Sequence, residues 1–417
     1  MHNNSYSNDL PQILEGGIEN SNTQIYFDVT RILSRSMTLF PTGIDRVILC
    51  YVARLQKKYP KRITYITYCN KKILFPPSHL VISYLDELTK SWTTEEENNL
   101  FRKTIALEFL GYTQNINSHR ALSSRPCLAK AYQFILILLK KLAPLYVKNI
   151  NRTENTSHNV LIDVSHIGVA TASPIELNAF CKQYLITKRF HYIHDFIPIT
   201  HPEFCTPASV RKFKKYLENA IHHKSQLIFN SKYTEKIATE HGLMNTSAVD
   251  PPPSHINSKK EIRKIVLTQA KDDYFLFVST LEPRKNHQLL LDIWSRKMPV
   301  KLILVGKTGW LSVAEKRNLQ SALRCHNIEH FDDLNDNEAD LLLDNAIALL
   351  FPSYAEGYGI PYVRAQEFNT PIIANNLEIF RELRVNENTV LCELEHFQHE
   401  IEKMITPHML PQKTNSN

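Results

Sequence analysis

Two short runs in the last third of the 417-residue chain place charged side chains beside turn residues, immediately after apolar segments. Glu356-Gly357-Tyr358-Gly359-Ile360-Pro361 follows the apolar run at 345–350 within Phe351–Pro361, and Glu282-Pro283-Arg284-Lys285-Asn286 follows the apolar run at 274–279. A buried strand that enters a Gly-x-Gly turn and then a helix leaves the first helical N–H groups unpaired. Those groups and the helix dipole then face any approaching anion. Gly357 and Gly359 let the backbone come close, and Glu356 sits beside the mouth. A guanidinium fork and an ammonium point charge at the end of a neighbouring strand suit a diphosphate. Taken alone, a Gly-x-Gly turn is equally a tight corner, and Pro283 and Asn286 are ordinary turn and cap residues.

The elements that must position these residues read as alternating strands and helices, the pattern of parallel sheets covered on both faces. In the first half, strands are expected at 24–29, 62–68, 160–165, 190–195 and 226–231, with a largely helical insertion at about 70–155. Three consecutive prolines, Pro251–Pro253, exclude a helix and favour an extended segment. The expected organisation is a flexible tail over 1–23, a first Rossmann-like domain over 24–245, a linker over 246–265, a second domain over 266–405 and a tail over 406–417. The second domain is expected to carry strands at 274–279, 300–306, 328–332, 347–351, 370–375 and 389–393. Two doubly wound α/β domains facing each other across a cleft follow from this reading, with ligands beyond the carboxyl ends of the strands.

Bulk composition narrows the function. The chain is too long for one ordinary core, and 43% hydrophobic with 22% charged residues is the balance of a globular protein. Seven scattered cysteines without a C-x-x-C pair suit a reducing cytoplasm. No signal peptide is read at the N-terminus, and the apolar run at 131–139 is too short to span a bilayer. Residues 1–250 hold 30 Lys and Arg against 20 Asp and Glu, whereas 251–417 hold 19 against 22. The basic stretches at 56–62 and 211–215 would serve peripheral contact with an anionic membrane or a phosphorylated acceptor; solvated helix faces are the equal alternative. Nucleic acid is disfavoured, since no basic stripe interleaved with aromatics occurs. Asp332 and Asp333 read as a helix cap rather than a metal site. The His pairs 326/330 and 396/399 read as surface residues, so no metal is expected.

The segments VSTLEPRKNHQLLLDIW, LILVGKTGW, FDDLNDNEADLLLDNA and LLFPSYAEGYGIPYVRAQEFNTPIIA, in this order between Val278 and Ala374, resemble the nucleotide-sugar-binding domain of retaining glycosyltransferases of family 4, which have the GT-B fold. More loosely, 27–47, 191–204 and 227–234 resemble the acceptor domain of bacterial surface-polysaccharide transferases of that family. The resemblance implies transfer of a sugar from a nucleoside-diphosphate sugar to a growing surface glycan, lipopolysaccharide O-antigen or capsule, or to a lipid-linked acceptor. It would proceed without a cofactor or metal, at the inner face of a bacterial membrane. Arg284 and Lys285 would grip the donor diphosphate, with Gly357, Tyr358, Gly359 and Ile360 at the helix start sharing that task. Glu356 would bond the transferred sugar, Gly43 would lie near the phosphates or acceptor, and His194 would meet the sugar at the reacting face. Asp195 would fix its loop.

The pattern departs from the family at Arg364. The second acid of the family's Glu-x7-Glu motif, which commonly accepts from the nucleotide ribose, belongs there, and arginine offers no acceptor. Three outcomes stay open: the ribose is held through Glu367, Arg364 contacts a phosphate, or the site no longer catalyses and the chain is a binding or scaffolding protein of such a pathway. Asn369, where the family commonly has glycine, tolerates a left-handed turn. Other GT-B enzymes, epimerases and phosphorylases, fit less well, because nothing marks a lysine-bound pyridoxal site.

Overall fold

The structure, a computed structural model, describes residues 9–18, 20–35, 41–69, 72–93, 158–243, 247–255, 260–324 and 327–409. Most of the expected insertion, including the run at 131–139, lies outside the described residues. Its described part is a short strand and the helix Ser78–Thr93. The chain divides into two compact units, Met1–Pro253 and Ser254–Asn417, and the break falls within the proline-rich segment.

The first unit is built on β1 (Ile25–Asp28), β2 (Ile63–Cys69), β3 (Lys72–Leu74), β4 (Asn159–Asp163), β5 (Ile186–Ile193), β6 (Gln226–Phe229) and β7 (Ser247–Val249), in the spatial order β3-β2-β1-β4-β5-β6-β7. All neighbours pair in parallel except β2 and β3. Successive strand side chains point to opposite faces, so β1 feeds two cores. Phe27 packs with Tyr65, Ile162 and Phe190, and Tyr26 packs with Ile66, Leu161 and Phe180. Every residue of β1 and β4 is buried, as expected where helices cover both faces.

Two pieces of this unit lie where sequence reading places a tail and a linker. The helix Gln12–Ile18 buries Leu14 and Ile18, and its Gly17 approaches β5 so closely that a Cβ there would lie 2.5 Å from the Phe190 ring. Arg62, from the basic stretch at 56–62, donates to the carbonyls of Ile18, Asn20 and Thr23 and ties this segment down. At the other end β7 extends the sheet beside β6.

The second unit carries β8 (Tyr274–Val278), β9 (Lys301–Val305), β10 (Ile328–Phe331), β11 (Ala348–Phe351), β12 (Ile372–Asn375) and β13 (Thr389–Cys392), all parallel, in the order β10-β9-β8-β11-β12-β13. Leu302, Leu304 and Leu350 are fully buried against Trp294 and Phe397. Each such leucine contributes about 1.5–3 kcal/mol by leaving water. Strand order reverses between β8 and β11, and the crevice beyond the carboxyl ends at such a switch point is where doubly wound sheets bind ligands. The segments that leave these two strands are Ser279–Asn286 and Pro352–Gly359.

Candidate functional site

Pro283–Lys285 forms a single 3-10 turn after β8, and Asn286 takes a left-handed conformation (φ 53°) before the helix His287–Trp294. That turn aims both cations at the segment after β11. Lys285 Nζ lies 2.5 Å from Glu356 Oε1, and Arg284 Nη1 lies 3.0 Å from Glu356 Oε2 and 2.6 Å from the Ala355 carbonyl. The other arm of the fork, Nη2, donates to Glu282 Oε1 at 2.7 Å. The backbones are joined as well, since Tyr354 N donates to Arg284 O at 2.8 Å.

Lys285 is 8% exposed and Glu356 7%. Burial by itself would raise the Glu356 carboxyl, but the Lys285 ammonium and the Arg284 guanidinium overcome it and hold it at about 2. The Lys285 ammonium is pushed below its ordinary value by burial and then by Arg284, against the pull of Glu356. Two carboxylates and two cations thus form a cluster whose charges cancel, with Lys285 and Glu356 buried and Arg284 and Glu282 half-buried. Sequence reading finds Arg284, Lys285 and Glu356 but passes over Glu282, whose signal was its place two residues before Arg284 in the same turn.

Beside this cluster begins the helix Ile360–Glu367. Gly359 precedes it at φ 89°, and a Cβ there would lie 2.9 Å from the Phe380 ring, so glycine is required on both counts. Gly359 brings no side chain to cap the helix, and Pro361 in the first turn lacks an N–H. Gly357 is buried and Tyr358 half-buried at the same turn.

Arg364 points its charge elsewhere. Its Nε and Nη2 form a fork on Asp340 at 2.9 and 2.6 Å, and Nη1 pairs with Glu367. His255 Nδ1 lies 3.1 Å from the same Asp340 carboxylate, and Ser254 Oγ donates to Glu367 Oε1 at 2.9 Å. Both oxygens of Glu367 are therefore engaged by protein. Burial would lower the Arg364 pKa, but Asp340 and Glu367 raise it above the ordinary arginine range. The cluster anchors the first residues of this unit to the helices Asp336–Asn345 and Ile360–Glu367.

Two readings of the neighbouring segment are corrected. Asp333 is not a cap: it takes the guanidinium of Arg263 in two bonds of 2.8 and 3.0 Å, while Asn335 caps the helix Asp336–Asn345 in a reciprocal box with Glu338. His330 is not a surface residue, being half-buried with Nε2 2.7 Å from the Gly306 carbonyl.

In the first unit His194 follows β5, and its Nε2 donates to the Val164 carbonyl at 2.8 Å, which leaves Nδ1 as the acceptor. Burial, then the charges of His166 and Arg31, hold its pKa at about 3 against the Val164 bond, so it is neutral. Asp195 Oδ1 accepts from Ile197 N at 3.0 Å and shapes the following turn. Gly43 is the first residue of the helix Gly43–Lys58. The fully buried Asp45 accepts from Thr42 N at 2.8 Å and pairs with Arg31 (3.1 Å) and Arg35 (2.9 Å). Arg31 thus links the start of this helix to the surroundings of His194.

With this geometry in place, relatives can be compared. Residues 258–415 match the family described as Glycosyl transferases group 1. The match falls within the second unit. The chain is 26% identical over 222 residues to the serotype-specific mannosyltransferase WbdA of Escherichia coli, covering 46% of this chain and 26% of that protein. It is 27% identical over 201 residues to the O-antigen chain mannosyltransferase RfbU of Salmonella typhimurium, covering 47% and 52%. The chain therefore spans about a quarter to a half of the length of these relatives. Among solved structures, the complex of Anabaena Alr3699/HepE with UDP-glucose covers 92% of this chain and 90% of its own at a TM-score of 0.55 and 15% identity. Sucrose-phosphate synthase from Thermosynechococcus elongatus covers 92% and 90% at 0.52 and 12%. These likenesses identify the fold as GT-B, and the cluster of Arg284, Lys285 and Glu356 lies within the matched residues 258–415.

Proposed function

We propose that this protein is a retaining glycosyltransferase of family 4 that moves a hexosyl group from a nucleoside-diphosphate sugar to a growing bacterial surface glycan or a lipid-linked acceptor, without a metal. The observation that carries the reading is the Glu282–Arg284–Lys285–Glu356 cluster, built on the buried Lys285–Glu356 pair, at the switch point of a parallel sheet, beside a helix start that no side chain caps. The relatives' names, O-antigen chain and serotype-specific mannosyltransferases, make a mannosyl donor the first to test. In the reaction the bond between C1 and the phosphate oxygen breaks and a bond from C1 to the acceptor oxygen forms. The acceptor's proton passes to the departing phosphate. Arg284, Lys285 and the N–H groups of the helix Ile360–Glu367 stabilise the charge that collects on the leaving diphosphate. Glu356, held on both oxygens by cations, keeps further lone pairs for a sugar hydroxyl. Work at the inner face of a membrane, with the basic first unit towards anionic lipid, belongs to the same reading. Among the described residues no helix is long and apolar enough to cross a membrane.

The test is to incubate the protein with nucleoside-diphosphate mannose and other nucleotide sugars plus glycan acceptors. Release of nucleoside diphosphate is followed, and the anomeric configuration of the product is read by NMR. The reading expects turnover with the donor's configuration kept. An inverted product contradicts retention. Nucleotide binding without turnover on any acceptor leaves the binding-protein alternative that Arg364 raises.

A further inference from the structure

Among the described residues two large aromatic side chains are exposed, Trp310 at 46% and Tyr354 at 42%. Both lie in segments that leave carboxyl ends of strands in the second unit and pair with the segment after β8 that carries Arg284 and Lys285. Tyr354 is bonded through its N–H to Arg284 O, and Trp310 ends the loop Lys307–Trp310 after β9, the strand beside β8. A lone surface tryptophan is ordinary, but this one is presented by a rigid loop. Leu281 N donates to Lys307 O and Gly309 N donates to Leu281 O, each at 2.9 Å, so the loop continues the pairing of β8 with β9 past the sheet. Gly306 stands at φ 135°, where a Cβ would lie 2.1 Å from Ser279 O, and a Cβ on Gly309 would lie 2.8 Å from Thr280 Cγ2. His330 holds the Gly306 carbonyl. On the far side Leu311 is buried and Ser312 caps the helix Val313–Ala322. A large apolar ring is thus left in water between two anchored residues.

We infer that Trp310 is the stacking surface for the nucleobase of the donor, a specificity-determining residue of the cation-cluster site. The inference rests on the proposed nucleotide-sugar function. The diphosphate belongs at Arg284 and Lys285, and the base is tethered to it through the ribose. Gly309 is backbone-bonded to Leu281, three residues before Arg284, which sets Trp310 one strand away from the phosphate-binding cations. A flat face suits a base because every base has a π-surface. Neighbouring strands are about 4.8 Å apart, so a ring one strand over is within reach of a base on a phosphate-anchored nucleotide.

The chain holds three tryptophans, and Trp92 and Trp294 are each only 3% exposed, so added ligand reports through Trp310. Titration of the full chain with UDP, GDP, their sugars and inorganic pyrophosphate, by fluorescence and calorimetry, tests the inference. The expected result is quenching by one of the nucleotides and none by pyrophosphate. Trp310→Ala is expected to weaken that nucleotide and its sugar alike by about tenfold, with pyrophosphate affinity unchanged. Trp310→Phe, which keeps a flat ring, retains most of the affinity. Equal nucleotide affinity in wild type and Trp310→Ala overturns the inference and leaves the function standing, as does a loss confined to the nucleotide sugar. Failure of every nucleotide to bind the wild type overturns both.

Discussion

At the scale of single residues, the pairing of Glu356 with Lys285 and Arg284 decides how the site behaves before a donor arrives. Removing one partner of a buried ion pair strands the other charge, so these residues are coupled. Glu282 extends the coupling by holding the free arm of the Arg284 fork. As a positioning residue it acts through Arg284. Glu282→Gln, which keeps the shape and loses the charge, is expected to raise the donor KM by about tenfold, the scale of a lost charge-assisted hydrogen bond, while kcat falls less. Steady-state kinetics with varied donor checks this. An equal fall in kcat with KM unmoved would place Glu282 outside donor binding. The charge types at 284, 285 and 356 are legible in sequence because a turn after a buried strand has few other uses for them. Their contact with one another is not, since it depends on β8 and β11 lying side by side although β9 and β10 come between them in the chain.

At the scale of elements, Arg364 illustrates the same limit. Sequence reading places it at a ligand and leaves three fates open. In the fold Asp340, one helix away, takes the guanidinium, and Glu367, one turn on, takes the remaining arm. Arg364→Glu would set a third carboxylate beside these two. The expected result is a loss of about 1–2 kcal/mol in the second unit, between the scale of an exposed ion pair and that of a broken buried one, because Arg364 and Asp340 are half-buried, read as a lower denaturation midpoint. A gain in activity with unchanged stability would show instead that the position serves the ligand. The alternating apolar runs made the long strands legible to within a residue or two, except that β5 begins at Ile186, four residues before the expected start, where exposed Thr187 and Lys188 break the apolar run. The three-residue edge strands β3 and β7 carry too few residues to show an alternation, and the helix Gln12–Ile18, with two glycines in seven residues, lacks helical propensity. It persists through packing on β5.

At the scale of the whole molecule, the two units differ in how protons act on them. In the first, burial holds His191 and His194 at about 3 and His166 at about 4, the charges of neighbouring arginines adding to it. Their folded pKa lies below the unfolded value of about 6.5, so the unfolded chain binds more protons and stability falls as pH drops below that value. In the second unit Glu356 is held at about 2 against an ordinary 4.5. Its contribution is present above about pH 4.5 and is lost as pH falls towards 2. In the second unit burial also lowers the pKa of His287, so lowering pH from 7 to 5 is expected to destabilise both units and the first, with His166, His191 and His194, more strongly, seen in calorimetry as a transition that moves to lower temperature. His191 is fully buried with neither ring nitrogen bonded and its ring edge-on to Tyr216. His191→Phe is expected to reduce that pH dependence, and an unchanged slope would remove His191 from the explanation. The role of the cation cluster is read out in donor turnover. With a competent nucleotide sugar and acceptor, wild type should release nucleoside diphosphate, and Lys285→Ala and Glu356→Ala should each do so about a hundredfold more slowly while remaining folded. Wild-type rates in both variants would contradict the assignment of the site.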